Sequence, residues 1–299
     1  MANLKKQVRK VLSNKIAYGE SKRQAKRDGT SNDKIFSKSS FQTYLKTGKH
    51  FANYVQAKDP NCHSLKSAYD RGYAHDYIDD MITRKLSPYS IAQARSVLAK
   101  LYGVDGTEIH DHIPRRVSKD IIRSRRPIER DIRLQERYPD LYSAVRSSGL
   151  RAYKELAHIT PRDIHIHADR ITVDVVNGKG GRSRTVTVLG QEDLWKRLKE
   201  KTPLDKPIFS HIPHNSSLHA CRAEFATALY LQIARPIEDI KDERIKVSDE
   251  RTGRAYDFPA VYRRRDGVEL DRAALVQCSL QLGHGVSRAY TVATSYIRL

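Results

Sequence analysis

The second half of this 299-residue sequence carries an ordered set of side chains whose types suit work on a phosphate: Arg151 in GLRAYKEL, Lys179 in GKGGRSRTV, His219 and Arg222 in HACR, His284 in LGH, and Tyr296 in ATSYIRL. An arginine fork is planar, stays protonated and binds two oxygens at once, so Arg151 and Arg222 suit clasping one phosphate from two sides. A tyrosine hydroxyl can act as nucleophile. His219 stands one helical turn before Arg222 and can act as general base toward the tyrosine or as a hydrogen-bond partner of the phosphate. His284 would hydrogen-bond a non-bridging oxygen. A phosphodiester cut without a metal needs a nucleophile, charge stabilisation for two non-bridging oxygens and a proton for the departing oxygen, and this set can supply them.

Each piece alone has an ordinary reading. Arg151 with Glu155 is a common i,i+4 helix pair, GKGG is a tight turn, and His219 with Arg222 marks one helix face. The elements that carry them decide whether they meet. Gly149 reads as a turn before a new helix that holds Arg151 rigidly, with Glu155 as supporting or capping partner. The period then changes to two: Ile164 and Ile166, then Ile171, Val173 and Val175, then Val186 and Val188 alternate, with turns at Ala168-Asp169 and NGKGG. This predicts a three-stranded antiparallel meander with Lys179 on its glycine-rich hairpin. Helices are expected at QEDLWKRLKEK, at SSLHACRAEFATALYLQIA and at DRAALVQCSLQLGHG.

The first half is helical throughout. Leu4, Val8, Val11, Leu12 and Ile16 form an apolar stripe in a basic segment, followed by the polar KRDGTSND. Ser39 or Ser40 is expected to cap a helix with Phe41, Tyr44, Leu45, Phe51, Tyr54 and Val55 on one face. HSLKSAYDRGYAHDYIDDMITRK forms another, and SPYSIAQARSVLAKLYG runs from a cap at Ser87 or Ser90 to a stop at Gly103. HDHIPRRVSKDIIRSRRPIER is basic with little periodicity and reads as an extended linker, solvated or lying along phosphates.

Charge narrows the partner. Fifty-five Lys and Arg against 35 Asp and Glu give a net charge of +20, which points to a polyanion, foremost nucleic acid. The sequence holds no apolar run of about 18 residues and opens MANLKKQVRK without a signal peptide, so a soluble cytoplasmic, nucleoid-associated protein with no membrane partner is expected. Cys62, Cys221 and Cys278 lie far apart without CxxC spacing, which predicts core thiols rather than a zinc site or disulfides. No metal-ligand cluster is visible, and neither metal nor cofactor is expected.

The ordered set resembles the tyrosine recombinase, or phage integrase, family, and the resemblance spans the chain. It implies a mainly α fold with a small antiparallel β-sheet (α+β), in which a helical core-binding (SAM-like) domain and a catalytic domain form a C-shaped clamp on DNA. The boundaries so implied are a basic N-terminal helix and linker at 1–30, the core-binding domain at 31–110, a basic linker at 111–130 and the catalytic domain at 131–299. By resemblance the catalytic residues are Arg151, Lys179, His219, Arg222, His284 and Tyr296, with Lys179 protonating the leaving 5′ oxygen and Tyr296 forming a 3′-phosphotyrosine. The implied partner is double-stranded DNA with inverted-repeat core sites, bound by a dimer and then a tetramer, with an accessory bending or directionality factor. The implied role is mobilisation of a phage, plasmid or integrative element. Two alternatives stay open: a catalytically silent DNA-binding relative, and a type IB topoisomerase or telomere-resolvase-like enzyme.

The sequence departs from the family pattern in three places. In most members the nucleophile stands at an intermediate distance after the LGH histidine, whereas here Tyr290 is six and Tyr296 twelve residues on; the ATSYIRL setting favours Tyr296, within a nucleophile helix. Arg222 and His284 are 62 residues apart, which predicts an inserted loop or hairpin at about 236–270 with a turn at RDG. The sequence ends three residues after Tyr296, so the N-terminal stripe of Leu4, Val8, Leu12 and Ile16 is the candidate for docking on a neighbouring protomer or on DNA, unless it packs on its own helical domain.

Overall fold

The computed structural model describes residues 3–117, 129–178, 181–213, 216, 218–250 and 252–299. Two units divide the chain, Met1–Ile122 and Arg123–Leu299. The first is helical: α1 (Leu4–Ser13), α2 (Lys22–Arg27), α3 (Lys38–Lys58), α4 (Leu65–Asp70), α5 (Tyr73–Thr83), α6 (Pro88–Tyr102) and α7 (Gly106–Ile109). The N-terminal stripe does not await a partner. Leu4, Val8 and Leu12 are fully buried in the core of this unit, together with Phe51, Ile78 and Leu98, while Ile16 remains exposed. Burying each such side chain contributes about 1.5–3 kcal/mol, which an isolated helix of this length cannot match with its own hydrogen bonds. The docking expectation is thereby corrected: α1 is part of the helical core, not a separate arm.

Local signals set the helix ends. Ser37, not Ser39 or Ser40, caps α3, accepting from the Ser40 amide at 3.1 Å. Ser87 caps α6 with Pro88 in its first turn, and Gly103 ends it. The stretch expected as one helix from His63 is two, α4 and α5, because the chain turns at Gly72. All three cysteines are buried, as expected of core thiols.

The second unit runs α8 (Glu129–Arg137), α9 (Pro139–Ser148), β1 (Ile164–Ile166), β2 (Ile171–Gly178), β3 (Arg182–Thr187), α10 (Glu192–Lys201), α11 (His219–Ile233), β4 (Arg244–Asp249), β5 (Arg254–Pro259), β6 (Val261–Arg263), β7 (Glu269–Asp271), α12 (Arg272–Gln281) and α13 (Ala289–Ser295). The expected meander forms in the order β1-β2-β3, both pairs antiparallel, with Val173 opposite Ile164 on one side and Val186 on the other. Its apolar face joins α9, α11 and α12 around Trp195 and Phe225, and the Trp195 indole donates to Ser147 Oγ at 2.9 Å. The 236–270 insertion is two hairpins, β4–β5 and β6–β7, the second turning at the RDG expected from sequence. The basic linker falls mostly on residues 118–128, outside the described residues. No helix among the described residues is long and apolar enough to cross a membrane.

Candidate active site

The site begins where α9 ends. Gly149 adopts φ +62°, and a Cβ there would overlap the ring of Phe225, so the turn requires glycine twice over. The chain beyond this turn is not the helix expected from its spacing. Residues 152–155 form hydrogen-bonded turns, with both Glu155 N and Leu156 N donating to Arg151 O, and then one 3-10 turn at Leu156–His158. The bonds to Arg151 O span four and five residues, a wide turn rather than a continued helix, and Glu155 folds back onto Arg151. The Arg151 amide donates to Glu155 Oε2 at 2.9 Å, and its Nη1 to Oε1 at 2.6 Å.

Glu155 is buried and takes a second guanidinium. Arg184, on β3, lays its fork along the carboxylate, Nη1 to Oε1 at 3.0 Å and Nη2 to Oε2 at 2.9 Å, while its Nε donates to the Gln281 carbonyl at 2.9 Å. Burial alone would raise the Glu155 carboxyl; the hydrogen bonds and charge of Arg184, then those of Arg151, overcome it and hold the group at about 2. One carboxylate thus lies between two guanidiniums. Sequence reading missed Arg184, which stands in GKGGRSRTV without a role; its signal was the inward phase of β3, shared with Val186 and Val188.

Gly283 of the LGH motif closes the same pocket. It has φ +72°, and a Cβ would lie 2.7 Å from Arg184 Nη1 and 3.0 Å from Arg151 Nη1. Only glycine lets the chain pass so close to the two guanidiniums just before His284. The His284 ring meets Tyr296 edge-on, with centroids 5.7 Å apart and planes at 62°. The Arg222 guanidinium carbon lies 5.9 Å from the Tyr296 ring centre.

Arg222 is buried within α11. Its Nη1 donates to the Gly149 carbonyl and its Nη2 to the Leu282 carbonyl at 3.1 Å, joining the ends of α9 and α12. Burial pushes its guanidinium down to about 10; the neighbouring Tyr296 works against that fall and Arg151 adds to it.

Arg151, Arg222, His284 and Tyr296 are therefore gathered around one place, with Glu155 and Arg184 behind them. Tyr296 is buried but does not lie inside a nucleophile helix: it caps the C-terminus of α13, its amide donating to Val292 O at 2.9 Å. Tyr290 is 55% exposed on α13. His219 is the first residue of α11 and is exposed, one turn from buried Arg222. Lys179 lies outside the described residues, between β2 and β3 in the sequence. A cleft of about 650 Å³ opens beside the cluster, lined by Arg184, Gly283 and His284 and, across from them, by Asp249 and Glu250 of the β4–β5 hairpin.

No family model matches the chain, and no curated protein matches it in sequence. Among solved structures, it is similar to the XerH site-specific recombinase bound to palindromic difH substrate in a post-cleavage complex, at 14% identity and a TM-score of 0.47, covering 99% of this chain and 91% of that one. It is also similar to the Tn1549 transposon integrase in complex with transposon right end DNA, at 13% identity and a TM-score of 0.44 over 98% and 95% of the two chains. With circular intermediate DNA the same integrase gives 14% identity and a TM-score of 0.37 over 77% and 89%. The chemistry has to be read from the side chains themselves.

Proposed function

We propose that the protein is a site-specific DNA recombinase of the integrase type, which cuts and rejoins DNA through a covalent 3′-phosphotyrosine on Tyr296, without a metal in the reaction. The observation that carries this reading is the placing of a buried tyrosine against both His284 and Arg222, next to a carboxylate shared by two arginines. A phosphodiester brought to this cluster meets Arg151 and Arg222 at its non-bridging oxygens, where pre-placed positive charge is most effective because it needs no reorganisation as the pentacoordinate state forms. His284 donates to one of those oxygens. His219 at the rim takes the Tyr296 proton or bonds the phosphate, and Lys179 protonates the leaving 5′ oxygen. Inverted-repeat core sites, a dimer and then a tetramer on DNA, and mobilisation of a phage, plasmid or integrative element complete the proposal; the net charge of +20 supports a DNA partner.

The test is a nicked suicide substrate built from the ends of the element that carries the gene. Wild-type protein should give a covalent protein–DNA band, and Tyr296→Phe should abolish it while leaving gel-shift binding unchanged. A band lost in Tyr290→Phe and kept in Tyr296→Phe overturns the assignment. One observation favours a second reading, a DNA-binding relative that does not cut: the Arg222 fork is bonded to two backbone carbonyls and Arg151 to Glu155, so both arginines serve the fold. No band from any variant, with binding intact, would select that reading.

A further inference from the structure

The first unit holds a second constellation with its own chemistry. We propose that His75, Asp79 and His110 form a binding site for one divalent cation of the first transition row, zinc foremost. His75 and Asp79 are i,i+4 on α5 and so share a face. His110 arrives from a distant part of the chain, as the residue that ends α7. That short helix is fixed by a reciprocal cap, with the Asp105 amide on Glu108 Oε1 at 2.7 Å and the Thr107 amide on Asp105 Oδ1 at 2.9 Å, and Arg95 donates to the His110 carbonyl at 3.1 Å. Two independently held elements therefore deliver three ligand atoms that all lie within 4.8 Å of one another.

The arrangement is specific in detail. Asp79 offers one oxygen to each ring, Oδ2 to His75 Nδ1 at 3.1 Å and Oδ1 to His110 Nε2 at 3.0 Å. His110 is buried, its Nδ1 has no hydrogen-bond partner among the described residues, and Asp111 Oδ1 stands 3.9 Å from that nitrogen. A metal-bound imidazole commonly donates its other N–H to a carboxylate; Asp111, whose oxygens now meet the His112 amide and ring at 2.8 Å, is the nearest one and needs a shift of under 1 Å in its Oδ1 to receive it. Two imidazoles with one carboxylate are the donor set of open zinc sites, in which water takes the remaining position. Imidazole ligands also select zinc, copper or nickel over magnesium and calcium.

The two rings are stacked, with centroids 4.3 Å apart and planes at 21°, so binding turns His75 off the face of His110. The His75 side chain is 54% exposed, and that rotation passes through solvent. The cation would tie α5 to the segment leaving α7.

The experiment uses the full-length, tag-free protein, stripped with a chelator and desalted. The chain has 12 histidines, so stoichiometry and variant dependence decide the matter. Titration with Zn²⁺ alone should show one saturable site per chain, Co²⁺ should give the visible absorption of a four-coordinate ion, and the thermal midpoint should rise with zinc concentration. His75→Gln and Asp79→Asn change exposed residues, fold normally and lose all three signals. Asp111→Asn weakens binding by about tenfold, and His63→Gln, an exposed histidine elsewhere in the same unit, leaves it unchanged. No saturable uptake by the wild type, or equal uptake by the wild type and the two ligand variants, overturns the proposal.

Discussion

Glu155 and Asp271 are both buried carboxylates gripped by arginine, yet they are built with opposite charge balance. Glu155 is one carboxylate between two guanidiniums, Arg151 and Arg184. At Asp271 one guanidinium serves two carboxylates: Arg235 reaches Asp271 Oδ2 through Nε at 3.0 Å and Glu243 Oε2 through Nη1 at 2.7 Å. Asp271 spends its remaining capacity on backbone, accepting from the Arg235 amide at 3.1 Å and, as the cap of α12, from the Ala273 amide at 2.8 Å. The second cluster has nothing left for an anion and holds the fold. The first carries one surplus positive charge, two guanidiniums against one carboxylate, and Arg222 and His284 stand near it at Tyr296, an arrangement that favours an anion.

Removing each carboxylate should separate these roles, and the largest effect belongs to Glu155. Glu155→Gln keeps the shape but leaves two guanidiniums facing each other, and breaking a buried ion pair in this way costs about 3–5 kcal/mol. Chemical denaturation should show it as a lower midpoint with unchanged slope. The same pair sets an acid limit. With the folded carboxyl held at about 2 and its ordinary value at 4.5, the stabilisation is complete above the ordinary value and drains away as pH falls from there towards 2. A wild-type protein no more acid-sensitive than Glu155→Gln over that window would refute the account.

Next comes catalysis. Arg184→Lys substitutes a point charge for the planar fork that locks Glu155, and through it Arg151. Loss of one pre-placed charge contact typically lowers a rate about a hundredfold, and the covalent band of the suicide-substrate assay should fall by that order. Arg235→Lys should lower stability and leave the band per folded molecule unchanged. Equal losses from both arginines would erase the distinction between the clusters. A step smaller, Asp271→Asn retains an oxygen to cap α12 and forfeits the charge, an effect of about 1–3 kcal/mol, read by thermal unfolding without loss of cleavage at low temperature.

The contrast also explains what the sequence could and could not tell. The meander, the RDG hairpin and the Ser87 cap come from periodicity and turn chemistry, which are local. Arg151 stood out in the sequence by its company, but the turn that folds Glu155 back did not: the same i,i+4 spacing suits a helix, and only tertiary hydrogen bonds from Arg184 decide otherwise. Arg184 itself is one arginine among many, and its partner lies 29 residues away in the chain. The Leu4, Val8 and Leu12 stripe is legible as a pattern but its cover is not, because an apolar face does not say what covers it; of docking on a neighbour or DNA and packing on its own helical domain, the structure has the second. His75 and Asp79 display their spacing openly, while His110 joins them only through the path of α6 and α7.

The smallest effect makes the sharpest control. On the β4–β5 hairpin, Arg244 Nε lies 2.7 Å from Asp257 Oδ1, closer than any of the Arg184 contacts to Glu155. If distance alone set the energy, Asp257→Asn would matter as much as Glu155→Gln. It should not, because both side chains are about half exposed, at 57% and 48%, so water screens the charges and competes for every donor. Exposed pairs of this kind contribute about 0.2–1 kcal/mol, and two long side chains must surrender rotamer freedom to make them. Asp257→Asn is therefore expected to move the unfolding free energy by about 0.5 kcal/mol or less, and that shift should vanish in about 1 M salt, where the Debye length falls to about 3 Å. The Glu155 effect should persist in the same salt because its carboxylate is inaccessible. A salt-insensitive loss of about 3 kcal/mol at Asp257, against the surface-pair range, would mean that burial is not what distinguishes the Glu155 carboxylate from an ordinary hairpin pair.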